Sequence, residues 1–288
     1  MFCVLARDTN QMTAPIRPDD CSVGGPEDND IAMSPQQRRF SSRGLSRLDT
    51  YRELIVAEKS WLSLLGFECY NLFLSGLAGL PGMAARSLIL PLFCRRFGTG
   101  SVCGRGVTLR QPCRISIGKS VVIDEYAVLD VRSPKEQFAE AGIQIGDHAL
   151  IGRGSIISSK GGIIRLGSAC NISSGCRIAT RSGIEIGESV LIAAYVYIGC
   201  GNHRFEKLDQ PIIEQEMEVR GGVKIGSNSW IGTRATILDG VTIGRNAVIG
   251  AHSLVREDVP DNAIAAGSPA RILRFRTDEQ TPGPSADQ

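Results

Sequence analysis

From Ile117 to Val255 an aliphatic residue returns at every sixth position, in groups of three. The groups are Ile117, Ile123, Leu129; Ile145, Ile151, Ile157; Leu166, Ile172, Ile178; Ile186, Ile192, Ile198; Ile225, Ile231, Ile237; and Ile243, Ile249, Val255. A weaker first set stands at Phe97, Cys103 and Leu109. An ordinary amphipathic sheet does not hold such spacing over more than a hundred residues. The pattern predicts that each hexapeptide makes one short strand, its aliphatic side chain inward, with glycine or a small polar residue at the corner. Three units complete a coil, and coils stack as parallel strands about 4.8 Å apart. The expected fold is therefore all-β, a triangular prism of about six to seven coils. The extra residues fall between groups, so all insertions leave from one edge of the prism. The chain's 33 glycines suit a fold with so many tight corners.

The beat breaks once at length. From Ile198 to Ile225 the chain runs 27 positions, about 21 more than the repeat needs. The excursion, residues 199–222, begins Gly-Cys-Gly-Asn-His-Arg-Phe-Glu and returns at Gly221-Gly222. Long loops on a rigid scaffold are where sites are commonly built. This one carries His203, one of only three histidines. An imidazole near its ordinary pKa can take a proton from an alcohol at neutral pH and return it to a leaving group. General base is one reading of His203; an exposed loop histidine without a role is the other. His148 and His252 occupy corners of regular units and are expected to face solvent or pack.

Other chemistries are constrained by what the sequence lacks. The three histidines lie 55 and 49 residues apart, so no close pair offers convergent ligands for a catalytic zinc. No metal is expected. Nine cysteines include no CxxC pair and suit reduced thiols acting as small apolar side chains. The N-terminus has no continuous apolar stretch after a basic start, and a cytoplasmic location is expected. A formal net charge of +2 argues against a nucleic-acid binder working through a broad basic field.

Residues 1–47 are rich in Asp, Ser, Pro, Gln and Arg without apolar periodicity, and a disordered tail is expected there. Residues 276–288 are expected to form a second such tail. Residues 48–96 change to helical spacing, with a break at Pro81-Gly82. The charge-free run between Glu68 and Arg86 is interrupted by Asn71, glycines and Pro81, which disfavours a membrane span. A helical hairpin packed on the main domain is one expectation. Peripheral contact of residues 48–97 with a membrane surface is the other.

The repeat resembles the left-handed parallel β-helix of the hexapeptide-repeat acyltransferases. The likeness covers about residues 97–275. It is most specific over residues 223–273, which resemble the shared C-terminal segment of galactoside, maltose, nodulation-type and polysaccharide O-acetyltransferases. Left-handedness comes from that resemblance and runs against the usual crossover rule. The resemblance implies an acetyltransferase domain over 97–275, using acetyl-CoA and working as a homotrimer, with His203 as base and a carbohydrate hydroxyl as acceptor. It implies a donor groove between neighbouring prisms bordered by Trp230, with the Thr233 amide on the oxyanion and Ala251 leaving room for the pantetheine arm. Arg256, Arg271 and Arg274 match positions near the coenzyme phosphates; a solvated helix face is the alternative for the last two. Asn202, Arg204, Ser173 and Ser174 are the acceptor-side candidates. Ser or Gly stands where galactoside-type relatives carry an Asn in the 171–175 stretch, which departs from a simple galactoside or maltose acceptor. Gamma-type carbonic anhydrases share the repeat, but their histidine spacing is missing. An N-acyltransferase of an amino-sugar nucleotide and a non-catalytic scaffold remain as other readings.

Overall fold

The computed structural model describes residues 47–57, 60–132 and 142–276. Of the expected tails, 1–47 and 276–288, residues 1–46 and 277–288 lie outside the described residues, while Arg47 already begins a helix. From Arg96 onward the chain coils around a triangular prism, each coil contributing one short strand to each of three faces. The first and third faces have seven strands each; the second has nine, of which the last is antiparallel. That makes seven full coils, so the weak set at Phe97, Cys103 and Leu109 is a coil of its own.

Stacking keeps the aliphatic positions in register. On the first face Ile117 lies over Ile145, then Leu166, Ile186, Ile225 and Ile243 follow. Nearly all are sealed from solvent. A fully buried side chain of this size contributes about 1.5–3 kcal/mol, so the stack is the principal source of cohesion. The cysteines behave as small core groups. Cys170 and Cys176 are buried, and their thiols reach the corner carbonyls of Gly187 (2.9 Å) and Ala193 (3.1 Å) in the next coil. Ser101, Ser155 and Ser229 make the same kind of coil-to-coil link.

The three edges are not alike. At the edge between the first and second faces one residue per coil adopts a left-handed backbone, including Asn228 (φ 61°) and Asn246 (φ 57°). Its amide donates to the coil below, as Asn228 does to Glu188 and Asn246 to Ser227. The edge between the second and third faces repeats this with Tyr126, Gly154, Gly175, Tyr195, Arg234 and His252. His148 and His252 both hold such corner positions, and both are exposed. Among the described residues the edge between the third and first faces has no continuous ladder of this kind. All the insertions leave there, including residues 199–222.

Three helices close the first coil: α1 (Arg47–Val56), α2 (Trp61–Phe73) and α3 (Gly79–Ile89). Val56, Leu64, Phe67, Tyr70 and Leu90 join the core with Cys94, Cys103 and Leu109. Buried Arg86 ties α3 down by donating to the carbonyls of Cys103 (2.8 Å) and Leu77 (2.7 Å). Gly82 is needed at this contact, because a Cβ there would lie 2.1 Å from the Leu77 carbonyl oxygen. The segment thus packs on the prism as three helices rather than a hairpin. Its outer side remains apolar, with Leu62, Leu65, Leu72, Leu80, Leu88 and Leu92 exposed. No helix among the described residues is long and apolar enough to cross a membrane. At the other end Ala263–Gly267 joins the second face, and Ala270–Phe275 turns back on it antiparallel. Arg271 and Arg274 therefore stand on a strand and not on a helix.

Candidate active site

The loop 199–222 starts where the third-face strand Tyr197–Gly199 ends. Asn202–His203 pairs antiparallel with Met217–Glu218, so the loop opens as a short hairpin that holds His203 opposite Met217. The Arg204 amide extends the pairing to the Glu216 carbonyl at 3.0 Å. Beyond it the buried Gln215 side chain donates to the carbonyls of Lys207 (2.7 Å) and Gln210 (2.9 Å) and accepts from the Lys207 amide. This one glutamine shapes the loop from within.

Both feet of the loop are fixed by a single carboxylate. Asp239, buried at the same edge in the following coil, accepts from the amides of Gly201 (3.1 Å), Arg220 (2.6 Å) and Gly222 (2.9 Å). Charge-assisted bonds of this kind are about twice as strong as neutral ones. Gly222 (φ 95°) sits where a Cβ would lie 2.3 Å from the Gly183 carbonyl oxygen, so the return at Gly221-Gly222 requires glycine. Cys200 is buried beside this clamp, and burial pushes its thiol up to about 12, leaving it a packing group.

His203 is exposed, as are Arg204 and the apolar loop residues Phe205, Leu208 and Ile212; Asn202 is half-buried. The donor-side candidates lie elsewhere. Thr233 and Ala251 occupy the second-to-third-face edge of successive coils, with Ser173 and Ser174 on the same edge further down. Thr233 is exposed, and among the described residues its amide donates to no acceptor. Tyr195 stands between Ser174 and Thr233 on this edge, its ring against Gly175 on one side and the Arg234 guanidinium 5.7 Å away on the other. It was not singled out in the sequence, although the AAYVYIG unit puts an aromatic where neighbouring coils place Gly, Arg or His.

Within one chain the structure therefore gathers Ser173, Ser174, Thr233 and Ala251 along one edge. His203, Asn202 and Arg204 stand on another, with the third face between them. Trp230 is half exposed on the second face, at the same register position as Val122, Leu150 and Leu191, which are also more than a third exposed. The arginines divide as well. Arg256 and Arg271 both approach Glu257, at 3.5 and 3.4 Å, while Arg274 has no ion pair among the described residues. No group of three or more potential metal ligands occurs among the described residues.

Comparison with known proteins agrees with the architecture. Residues 222–257 match the bacterial transferase hexapeptide profile of six repeats. A Mycobacterium tuberculosis protein named for acetyl transfer is 38% identical over 136 residues, 47% of this chain and 45% of that protein. An Escherichia coli protein named for O-acetyl transfer in lipopolysaccharide biosynthesis is 31% identical over 142 residues, 47% of this chain and 72% of that one. The galactoside O-acetyltransferase of Escherichia coli is 34% identical over 145 residues, 49% of this chain and 65% of that enzyme. The chain thus spans less than half the length of the mycobacterial relative. By its repeat, its seven-coil left-handed parallel β-helix and these relatives, the chain belongs to the bacterial hexapeptide-repeat transferases.

Proposed function

We propose that this chain transfers acetyl from acetyl-CoA to a carbohydrate hydroxyl, with His203 as general base. The observation that carries this reading is the clamped hairpin: a rigid prism spends one buried carboxylate and three glycines to hold an exposed histidine at a fixed place. In the reaction, His203 takes the proton of the acceptor hydroxyl as its oxygen attacks the thioester carbonyl. The free Thr233 amide meets the oxyanion. Collapse breaks the carbon–sulfur bond, and the thiolate of coenzyme A receives the proton from the imidazolium. Relatives named for O-acetyl transfer in lipopolysaccharide biosynthesis and for galactoside O-acetyl transfer support the acceptor class.

His203 and Thr233 meet most simply across two copies of the chain. The exposed stripe Val122, Leu150, Leu191 and Trp230, together with Phe205, Leu208 and Ile212 on the loop, offers apolar surface for that contact. We infer a homotrimer, in which each donor groove has one wall from each of two prisms. Trp230, Ala251 and Arg274 would line it, and Arg256 and Arg271 would have to leave Glu257 to meet a phosphate.

The helical cap supports a further part of this reading, contact with an anionic membrane surface. Its exposed leucines are followed directly by exposed Arg95 and Arg96, the pairing of apolar and basic groups that interfacial segments use. Sedimentation with anionic vesicles, reduced by Leu62→Ser/Leu65→Ser, is the expected outcome.

The decisive test is acceptor-dependent thiol release from acetyl-CoA over a panel of sugars, oligosaccharides and amino sugars. His203→Ala should lower kcat by about 10²–10⁴ while acetyl-CoA still binds. Faster transfer to amines than to hydroxyls would replace this reading with N-acyl transfer. Absence of any coenzyme A binding would make the prism a scaffold.

A further inference from the structure

The third-to-first-face edge carries a second feature directly below the His203 loop. Arg132, Lys160 and Arg181 occupy one position in three successive coils. The backbone pairing fixes this: the Arg132 amide donates to the Ser159 carbonyl and the Lys160 amide to the Thr180 carbonyl, each at 2.8 Å. The ladder rises to the foot of the loop, where the Arg181 side chain lies 3.8 Å from the point a Cβ on Gly201 would occupy. Asn202 and His203 follow at once. All three cations are half-buried.

Like charges stacked one strand apart repel one another, and among the described residues little offsets them. Asp130 is buried and pairs with Arg132 at 2.8 Å, with the Ser158 hydroxyl also on its carboxylate. Lys160, Arg181 and the neighbouring Arg177 have no ion pair among the described residues. Burial pulls the Lys160 ammonium below its ordinary pKa, and Arg132, Arg181 and Arg177 pull it further. Asp130 is the one described carboxylate that acts against them. A cationic row of this kind, with one carboxylate for four cations among the described residues, is complementary to an anion.

We propose that Arg132, Lys160 and Arg181 form an acceptor subsite that binds the carboxylate or phosphate groups of an anionic glycan and so presents its hydroxyl to His203. This rests on the transferase reading above, and it narrows the acceptor from any carbohydrate to a negatively charged one. The row extends over three coils, roughly 10 Å between its ends, so it suits repeated or adjacent negative charges more than a single one.

The test is calorimetric binding to the full chain, without acetyl-CoA, of three probes: hexagalacturonate, UDP-N-acetylglucosamine and maltohexaose. One of the two anionic probes should bind and the neutral one should not; which anion binds separates carboxylate from phosphate recognition. Lys160→Gln/Arg181→Gln should raise the Kd of that probe about tenfold or more, as loss of charge-assisted contacts does, and higher salt should weaken wild type more than the variant. Lys160→Glu/Arg181→Glu should abolish binding, with melting temperature read as a check on folding. Absence of anion binding, or an affinity unchanged in the glutamine variant, overturns the subsite. Because binding is read without turnover, charge-dependent binding by a chain that releases no thiol would sink the transferase reading and leave the subsite standing. Turnover on maltohexaose with no anion binding would do the reverse.

Discussion

The second-to-third-face edge and the third-to-first-face edge differ more than any other two regions of the prism. The first repeats one tight corner in each coil, its left-handed residue bonded to the coil below. The second has no continuous ladder among the described residues and takes up loops of different lengths. The contrast shows how a repeat fold can be rigid and inventive together. Where each corner amide is spoken for by its neighbour, an added residue breaks two bonds at once. Where it is not, the chain can leave and return at the cost of loop closure alone, which grows slowly with length. The histidine loop and the cationic row both stand on the permissive edge, while the smooth edge is left free to line a groove.

The largest expected effect would break this contrast outright. Four residues of Gly and Ser inserted between Arg153 and Gly154 remove the Gly154–Glu125 and Gly175–Arg153 backbone bonds. The melting temperature should fall by about 10 °C or more, roughly 3 kcal/mol for a domain of this size. The same insertion between Lys160 and Gly161 should change it little. Equal losses at the two sites would show that the edges are equivalent. A smaller effect is expected from Asp239→Asn, which keeps the shape of the clamp but turns a donor toward amides that need an acceptor. It should lower kcat about tenfold to a hundredfold through misplacement of His203, with the KM for acetyl-CoA unchanged, since the smooth edge is untouched. A KM change instead of a kcat change would take Asp239 out of a positioning role. The smallest effect sharpens the comparison at single side chains. Cys170 and Cys176 lie by the laddered edges and Cys200 beneath the clamp, and burial raises all three thiols. In wild type none should be alkylated by iodoacetamide at pH 8, well below the value of about 12 for Cys200. In the Asp239→Asn variant Cys200 alone should become reactive, as read by peptide mass spectrometry.

The sequence made the prism legible because one residue in six must be aliphatic for the stack to close. Even the faint set at Phe97, Cys103 and Leu109 marks a true coil. His203 stood out because the beat fails around it. The residues that hold His203 in place did not stand out, and the reason is geometric. Asp239 lies 38 positions from Gly201 in a regular unit, where Asp-Gly reads as one more turn. Lys160 and Arg181 look like scattered surface charges until the coil register sets one above the other. Tyr195 is one of two tyrosines in AAYVYIG, and only the left-handed corner turns its ring along the edge. The final strand, Ala270–Phe275, escaped because its partner is antiparallel in a molecule otherwise built from parallel pairs. Contacts between coils are invisible to a reading that runs along the chain.

The Asp239 clamp has a consequence for how such proteins diversify. One carboxylate in the next coil grips both ends of the loop through backbone amides alone, so it is blind to the side chains in between. Residues 204–219 therefore form a cassette with a fixed socket. A transplanted segment that keeps Gly201, His203 and Gly222 in place would seat in it, and a new acceptor preference could be exchanged without rebuilding the core.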